Sequence, residues 1–325
     1  MMTPAGMTWL LCVALVLPSP ASRAGRVPAN GITIAYESFG AADRETVLLI
    51  AGSGMQLTGW PRELCHELVE RGYRVVVFDN RDIGLSTKFE DAGIPDFAAV
   101  AKAAAEGRPA PLPYTLYDMA ADAVGLLEAL GIKQAHIAGV SMGGMIAQIV
   151  ATDYPQRTLS LTTMMASDGK PGLPIIAKPE RLPQIPPPGP DAGRQAYIDY
   201  QVKMRLAIAG PKYVPNEQDL IRRISRDVER SFCIPCEARQ SAASLFGALE
   251  DRRAKLATIR VPTVVVHGDE DPLVPVEAGR DVAAHIPAAE LRIIPGMGHD
   301  IPQALVTTVA DAISAAASRG GRKRP

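Results

Sequence analysis

The chain has 325 residues, of which 47% are hydrophobic and 5% aromatic, an ordinary composition for a globular enzyme. Its 34 basic and 35 acidic residues give a formal net charge of -1, so no overall field favours nucleic acid or an anionic membrane. We therefore expect one large α/β domain with an insertion, and no polyanionic partner.

Residues 1–24 have the pattern of an atypical signal peptide. The uncharged apolar run at 7–17 suits the core of such a peptide and is too short to span a bilayer stably. Ser22-Arg23-Ala24 is the expected cleavage site. No Lys or Arg precedes the run, so the alternative is a cytoplasmic protein with a mis-called start codon. Of the two, we expect export to the periplasm or the medium.

Strand and helix signals alternate from about residue 27. Short β-branched runs separated by helical patterns indicate a mostly parallel sheet flanked by helices. We expect strands at 32–36, 46–50, 74–78, 135–138 and 159–165, and helices at 60–71 and 116–130.

This alternation stops near Asp168 and resumes after Leu256. The proline-rich segment 182–190 excludes regular helix or central strand, and helical patterns of mixed charge follow it. Strand signals return at 262–267 and 291–294. We therefore predict a core at 27–167 and 257–318, a cap at 168–256 and a disordered basic tail at 319–325.

Cys233 and Cys236 form a Cys-x-x-Cys pair within the predicted cap. One pair gives too few ligands for a structural zinc site, and no second pair follows. The pair would form a local disulfide in an exported protein and two reduced cysteines otherwise. Neither reading makes these cysteines catalytic.

Gly139-Val140-Ser141-Met142-Gly143 lies between an apolar run at 135–138 and a helix-compatible stretch at 145–151. A strand, a glycine-flanked serine and a helix are typical of a nucleophile elbow. The turn needs strained backbone angles, and the flanking glycines let strand and helix approach closely. The alternative is a tight turn in which Ser141 caps the helix.

A nucleophilic serine needs a base within hydrogen-bond reach and a group that orients the base. Of the five histidines, only His299 lies in a loop after a strand; we interpret His66, His136, His267 and His285 as structural. Three acids, Asp269, Glu270 and Asp271, follow the strand at 262–267. Because the carboxyl ends of parallel strands meet at one sheet edge, Asp271 and His299 should lie near Ser141. The order serine, acid, histidine suits a hydrolase.

The chain resembles the α/β-hydrolase family over nearly all of its length from about Val27 to Ser318. It looks closest to the esterase branch that includes aclacinomycin methylesterase-like and bacterial lipase/esterase proteins. The segments that carry this resemblance are 50–55, 78–86, 140–145, 268–275 and 296–299. The family's acid is normally the fourth residue of Gly-x-x-Asp, which implies Asp271 here.

The same resemblance implies an oxyanion hole formed by the backbone N–H groups of Met142 and Ser53. The family's His-Gly pair is replaced by Ala51-Gly52, which leaves Gly52 and Gly54 as alternative donors. For the segment 79–86 we expect a structural role at a strand-to-loop corner.

The resemblance implies a carboxylesterase that acts through an acyl-enzyme, without metal or cofactor. The cap is rich in Leu, Ile, Ala and Pro, which favours an apolar small-molecule ester as the substrate. The alternatives are the same triad acting on C–C bonds, on amides or in perhydrolysis, and a ligand-binding module without turnover.

Overall fold

A single sheet lies at the centre of the computed structural model, which describes residues 22–320. Its strands are β1 (Ser22–Ala29), β2 (Ile32–Phe39), β3 (Thr46–Ile50), β4 (Arg74–Phe78), β5 (Ala135–Val140), β6 (Thr158–Met164), β7 (Thr263–Gly268) and β8 (Glu290–Ile294). Their order across the sheet is β1-β2-β4-β3-β5-β6-β7-β8. In this order, neighbouring strands from β4 onwards are parallel. Strand β1 pairs antiparallel with β2, and β2 pairs antiparallel with β4. The mostly parallel α/β sheet predicted from the sequence is confirmed.

Strand β1 has no counterpart among the sequence-based predictions. It pairs with β2 from Ser22 opposite Phe39 to Ala29 opposite Ile32. The expected cleavage site at residues 22–24 lies within this strand, and the rest of the expected signal peptide lies outside the described residues. Export therefore stays a prediction.

Alternate residues of the central strands enter two separate cores. Val47 and Leu49 pack on one face with α1 (Arg62–Glu70) and α10 (Val306–Gly320). Leu48 and Ile50 pack on the other face, as period-two alternation requires. The helices on that face are α3 (Leu116–Ala129), α4 (Met142–Asp153) and α9 (Val276–His285). The sheet is thus covered on both faces, and its strand ends are left to carry chemistry.

Helices α5 (Arg194–Ile208), α6 (Glu217–Arg230), α7 (Ile234–Leu249) and α8 (Arg253–Leu256) lie between β6 and β7. Helices α5 and α6 share a small apolar core of their own, formed by Tyr197, Ile198, Val202, Leu220, Ile224 and Val228. Helix α7 packs on α2 (Phe97–Ala105), which comes from the first half of the chain. These helices occupy the segment predicted as a cap.

Cys233 and Cys236 form a disulfide at the start of α7. Cys65 is buried in α1, and burial raises the pKa of its thiol to about 12. At the carboxyl end, α10 continues to Gly320, two residues into the tail expected to be disordered; residues 321–325 lie outside the described part. Between residues 22 and 320, no helix combines the length and the apolar character needed to cross a membrane.

Candidate active site

Ser141 occupies the turn between β5 and α4. Its φ of 56° is in the left-handed region that non-glycine residues rarely adopt, and its N–H donates to the Met164 carbonyl at 2.9 Å. A Cβ on Gly139 would overlap the backbone of Gly143, and one on Gly143 would overlap the Ile50 carbonyl. Only glycines fit these two positions, so they allow the close strand-helix approach that lifts the serine from the sheet.

His299 lies between Ser141 and Asp271. Its Nε2 is 2.8 Å from Ser141 Oγ, and its Nδ1 is 2.7 Å from Asp271 Oδ2. A carboxylate beside Nδ1 favours the tautomer with the proton on Nδ1, which leaves Nε2 as an acceptor for the serine hydroxyl. The backbone N–H of His299 donates to the carbonyl of Ile208, the last residue of α5. The histidine loop is therefore fixed from the cap side as well.

Asp271 is buried and has several hydrogen-bond partners. Its Oδ1 accepts from the N–H groups of Leu273 and Val274 at 2.8 and 2.9 Å. Burial alone would raise the pKa of Asp271, but the charge of His299 and hydrogen bonds from His267 and His299 hold it well below its usual range. Asp271 is therefore an anion that can orient His299.

The two competing acids have other partners. Asp269 accepts from the N–H of Gly296 at 2.7 Å, which ties the loop after β7 to the loop after β8. Glu270 forms an ion pair with Lys178 at 2.7 Å. The side-chain partners of His299 are Asp271 and Ser141, so Asp269 and Glu270 have structural roles here.

Gly52, Ser53 and Gly54, here called the oxyanion loop, follow β3 and lie beside Ser141. A Cβ on Gly52 would be 3.3 Å from Ser141 Cβ. The N–H of Gly54 donates to Gln240 Oε1 at 2.6 Å, which argues against Gly54 as the donor to a substrate oxygen. Met142 is the first residue of α4, where the N–H groups have no partner within the helix. The assignment of Ser53 and Met142 as the donors remains a prediction.

Helix α7 places three polar side chains against the oxyanion loop. Besides the Gln240 bond, Ser241 Oγ is 3.3 Å from Ser53 Oγ, and Glu237 Oε2 would be 3.6 Å from a Cβ on Gly54. Their spacing at i, i+3 and i+4 puts them on one helical face. No motif in the sequence indicates a role for Glu237, Gln240 or Ser241. Only their spacing could have indicated them, and it does not tell which loop they meet.

The corner segment 79–86 connects the core to the cap through buried ion pairs. Asp82 pairs with Arg239 of α7 at 2.9 Å, both fully buried, and Asp79 pairs with Arg230 of α6 at 2.7 Å. Asp79 also accepts from the N–H of Leu57 at 2.7 Å. These contacts give the segment a structural role.

The other histidines in polar contact have partners away from the serine. His136 faces Ser160 Oγ at 3.0 Å, His267 Nε2 faces the Val274 carbonyl at 3.0 Å, and His285 Nδ1 faces the Asp281 carbonyl at 2.9 Å. His267 also lies 3.5 Å from Asp271 Oδ2, so it contributes to the electrostatic environment of the acid, which the sequence does not indicate.

Asp168, Asp281 and His285 bring one ligand-type atom each within 4.8 Å of one another. Lys170 Nζ lies 2.8 Å from Asp281 Oδ1 and already supplies a cation there. The His285 nitrogen nearest Asp281 faces a carbonyl oxygen. The residues therefore do not favour a metal ion at this place.

Comparison with known proteins agrees with this architecture. The chain is 28% identical over 309 residues to rhodomycin D methylesterase of a Streptomyces species, covering 87% of this chain and 94% of that protein. A membrane phospholipase A, described as a bacterial virulence factor, superposes with a TM-score of 0.68 at 22% identity, covering 91% of this chain and 86% of that one. A thermophilic esterase from Thermogutta terrifontis superposes with a TM-score of 0.64 at 24% identity, covering 90% and 97%. Residues 47–312 match the alpha/beta hydrolase family model, so the chain belongs to the alpha/beta hydrolase family.

Proposed function

We propose that this protein is a serine carboxylesterase. The observation that carries the proposal is the hydrogen-bonded series in which His299 lies 2.8 Å from Ser141 Oγ and 2.7 Å from Asp271 Oδ2. This is the geometry that a general base needs in order to activate a hydroxyl nucleophile. The methylesterase name of a relative that covers most of the chain supports ester chemistry.

In the proposed mechanism, His299 Nε2 removes the hydroxyl proton as Ser141 Oγ attacks the ester carbonyl. Asp271 stabilises the imidazolium that forms and keeps its orientation. The N–H groups of Met142 and Ser53 stabilise the oxyanion, helped by the positive end of the α4 dipole. His299 then protonates the leaving alcohol, and an activated water hydrolyses the acyl-enzyme by the same steps in reverse.

We propose a small ester with a largely apolar body as the substrate. The sequence of the cap favours this, and Ser141 keeps part of its surface accessible below the cap helices. Pockets for small molecules are mostly apolar and contain few polar groups, which set orientation. A short p-nitrophenyl ester meets these requirements and serves as the test substrate.

The deciding experiment is the Ser141→Ala variant assayed with this ester. We expect hydrolysis to fall to the uncatalysed rate, because alanine has no nucleophile, while circular dichroism stays unchanged. Ser318→Ala is the matched control, since Ser318 is exposed on α10 and should keep full turnover. Turnover by Ser141→Ala at the parental rate would refute the proposal.

A fluorophosphonate probe separates the esterase from a binding protein without turnover. A nucleophilic Ser141 forms a covalent adduct with such a probe, whereas a serine that only caps a helix does not. We expect labelling of the parental chain and none of Ser141→Ala.

We also propose export from the cytoplasm. The Cys233–Cys236 disulfide supports this, because disulfides persist mainly in oxidising compartments. Expression of the full chain in a bacterial host, followed by fractionation and amino-terminal sequencing, tests it. Recovery of the intact amino terminus in the cytoplasm would contradict export.

A further inference from the structure

Glu237 is an acidic side chain on the cap helix α7 that faces the oxyanion loop. Its Oε2 would be 3.6 Å from a Cβ on Gly54, whose peptide group follows that of the proposed oxyanion donor Ser53. Protein surrounds the carboxyl on most sides, yet Glu237, Ser53 and Gly54 keep part of their accessible surface, whereas Gly52 is buried. The carboxyl is therefore enclosed by protein but still accessible from the side of Ser53 and Gly54.

The carboxyl has few partners of its own. Its Oε1 accepts from the Tyr197 hydroxyl. Within the described residues, the one side-chain hydrogen bond to its Oε2 is a long one, of 3.5 Å, from Gln201 Nε2. Among residues 22–320, no lysine or arginine lies within ion-pair distance of it. A desolvated carboxylate without a paired cation is unfavourable, and such groups concentrate at functional sites.

The electrostatic setting agrees with this geometry. Burial raises the pKa of Glu237 to about 7, against the opposing effects of the Tyr197 hydrogen bond and the charge of Arg205. Tyr197 and Arg205, both on α5, are the titratable groups that act on the carboxyl. A proton donor or a cation brought by a ligand would therefore gain by pairing with Oε2.

We propose that Glu237 is a substrate-recognition group, which binds a hydrogen-bond donor, an ammonium or a hydroxyl group, close to the scissile carbonyl of the ester. This inference rests on the proposed esterase function and narrows its substrate class. The body of the substrate is apolar, and a single donor near the ester fixes its orientation against the oxyanion loop. Small-molecule sites usually combine many apolar contacts with a few polar ones that set orientation.

The experiment uses three short fluorophosphonate probes of equal chain length that end in a methyl, a hydroxyl or a primary ammonium group. The readout is the rate of Ser141 labelling by each donor probe relative to the methyl probe. For the parental protein we expect the ammonium probe to label about tenfold faster than the methyl probe, as a charge-assisted hydrogen bond would give. The labelling rate of the hydroxyl probe should lie between the rates of the other two probes. Comparison of the hydroxyl and ammonium probes identifies which donor group the site prefers.

In assays above the raised pKa of Glu237 the carboxylate is charged, and Glu237→Gln removes this charge but keeps the shape and one acceptor oxygen. We expect the ammonium-to-methyl ratio to fall to about one and the hydroxyl-to-methyl ratio to fall less. Glu229→Gln is the matched control, because Glu229 is exposed on α6 and the charge change is the same. Its ratios should equal those of the parental protein.

Tyr197→Phe provides a second variant that keeps the carboxyl and frees its Oε1. We expect the ammonium probe to keep or increase its advantage there; loss of the advantage would contradict the proposal. Equal labelling by all three probes, or ratios unchanged in Glu237→Gln, would overturn the proposal and leave the esterase intact. Failure of every probe to label Ser141 would instead refute the esterase function.

Discussion

The backbone N–H of Gly54 donates to Oε1 of Gln240 at 2.6 Å, across 186 positions of sequence. The Gln240 side chain is fully buried, and its Nε2 donates to the carbonyl of Arg81 at 3.1 Å. One amide group thus joins the oxyanion loop, the cap helix α7 and the corner after β4. The cap thus restrains the loop that contains Ser53, the proposed oxyanion donor.

We predict that Gln240→Leu lowers kcat on a short p-nitrophenyl ester by about tenfold or more, with a smaller change in KM. Leucine cannot accept from the N–H of Gly54, so the loop loses its fixed position. Displacement of Ser53, the proposed oxyanion donor, weakens binding of the transition state more than binding of the ground state. Steady-state kinetics of the parental protein and of Gln240→Leu measure the separate changes in kcat and KM.

Gln195→Leu is the matched control for Gln240→Leu. Gln195 is exposed on α5, so the same substitution there should leave both constants unchanged. A rise in KM with an unchanged kcat for Gln240→Leu would contradict the prediction. It would show that Gln240 contributes to substrate binding and that its bond to the oxyanion loop does not affect the transition state.

The sheet edge at which the serine, the acid and the histidine meet was predictable, because each candidate follows a strand of one parallel sheet. The choice of Asp271 over Asp269 and Glu270 came from the family resemblance. Ser141 follows β5, Asp271 follows β7 and His299 follows β8, and parallel pairing aligns these ends. The structure brings the three side chains into hydrogen-bond contact. Their catalytic roles stay a proposal.

Other features were not predictable, for physical reasons. Strand β1 reads SRAGRVPA, and its burial alternates from Ala24 to Ala29. The residues that face inward include the small Gly25 and Ala29, and Pro28 lies between Val27 and Ala29, so apart from Val27 the sequence lacks the β-branched and aromatic residues that indicate a strand. The contacts of Glu237 and Gln240 depend on how α7 docks on the core. Helical spacing gives the face on which these residues lie, but not the surface that this face meets.

We predict that Arg239→Met lowers the free energy of unfolding by about 3–5 kcal/mol. The substitution leaves the fully buried Asp82 carboxylate without the guanidinium 2.9 Å away, while its bond from the Tyr114 hydroxyl at 2.6 Å remains. Urea denaturation measures the change.

Arg222→Met serves as the control for Arg239→Met, because Arg222 pairs with Asp219 on the exposed face of α6. Such a surface pair should contribute less than about 1 kcal/mol. The double variant Asp82→Asn with Arg239→Met should recover part of the loss. Equal effects of the two arginine substitutions would contradict a special role of the buried pair.

Reduction of the Cys233–Cys236 disulfide should lower the free energy of unfolding by about 2 kcal/mol, because the bond closes only a very short loop. The two cysteines are separated by 3 positions at the start of α7. Urea denaturation with and without a phosphine reductant measures the effect. The double serine variant is the control and should not respond to the reductant; an equal response would show that the reductant acts elsewhere.

Glu237 should make stability depend on pH, and Glu237→Gln should remove that dependence. The pKa of its carboxyl is raised from 4.5 to about 7, mainly by burial. Between these pH values the native state holds a proton that the unfolded chain has released, so the native state loses stability as pH rises through this window. The variant cannot titrate there, so its unfolding free energy relative to the parental protein should rise across the window and level off above pH 7. Urea denaturation of both proteins below, within and above the window measures this difference.

Glu229→Gln, on the exposed face of α6, is the control and should show no such trend. A difference for Glu237→Gln that stays constant with pH would mean that the carboxyl titrates as it does in the unfolded chain.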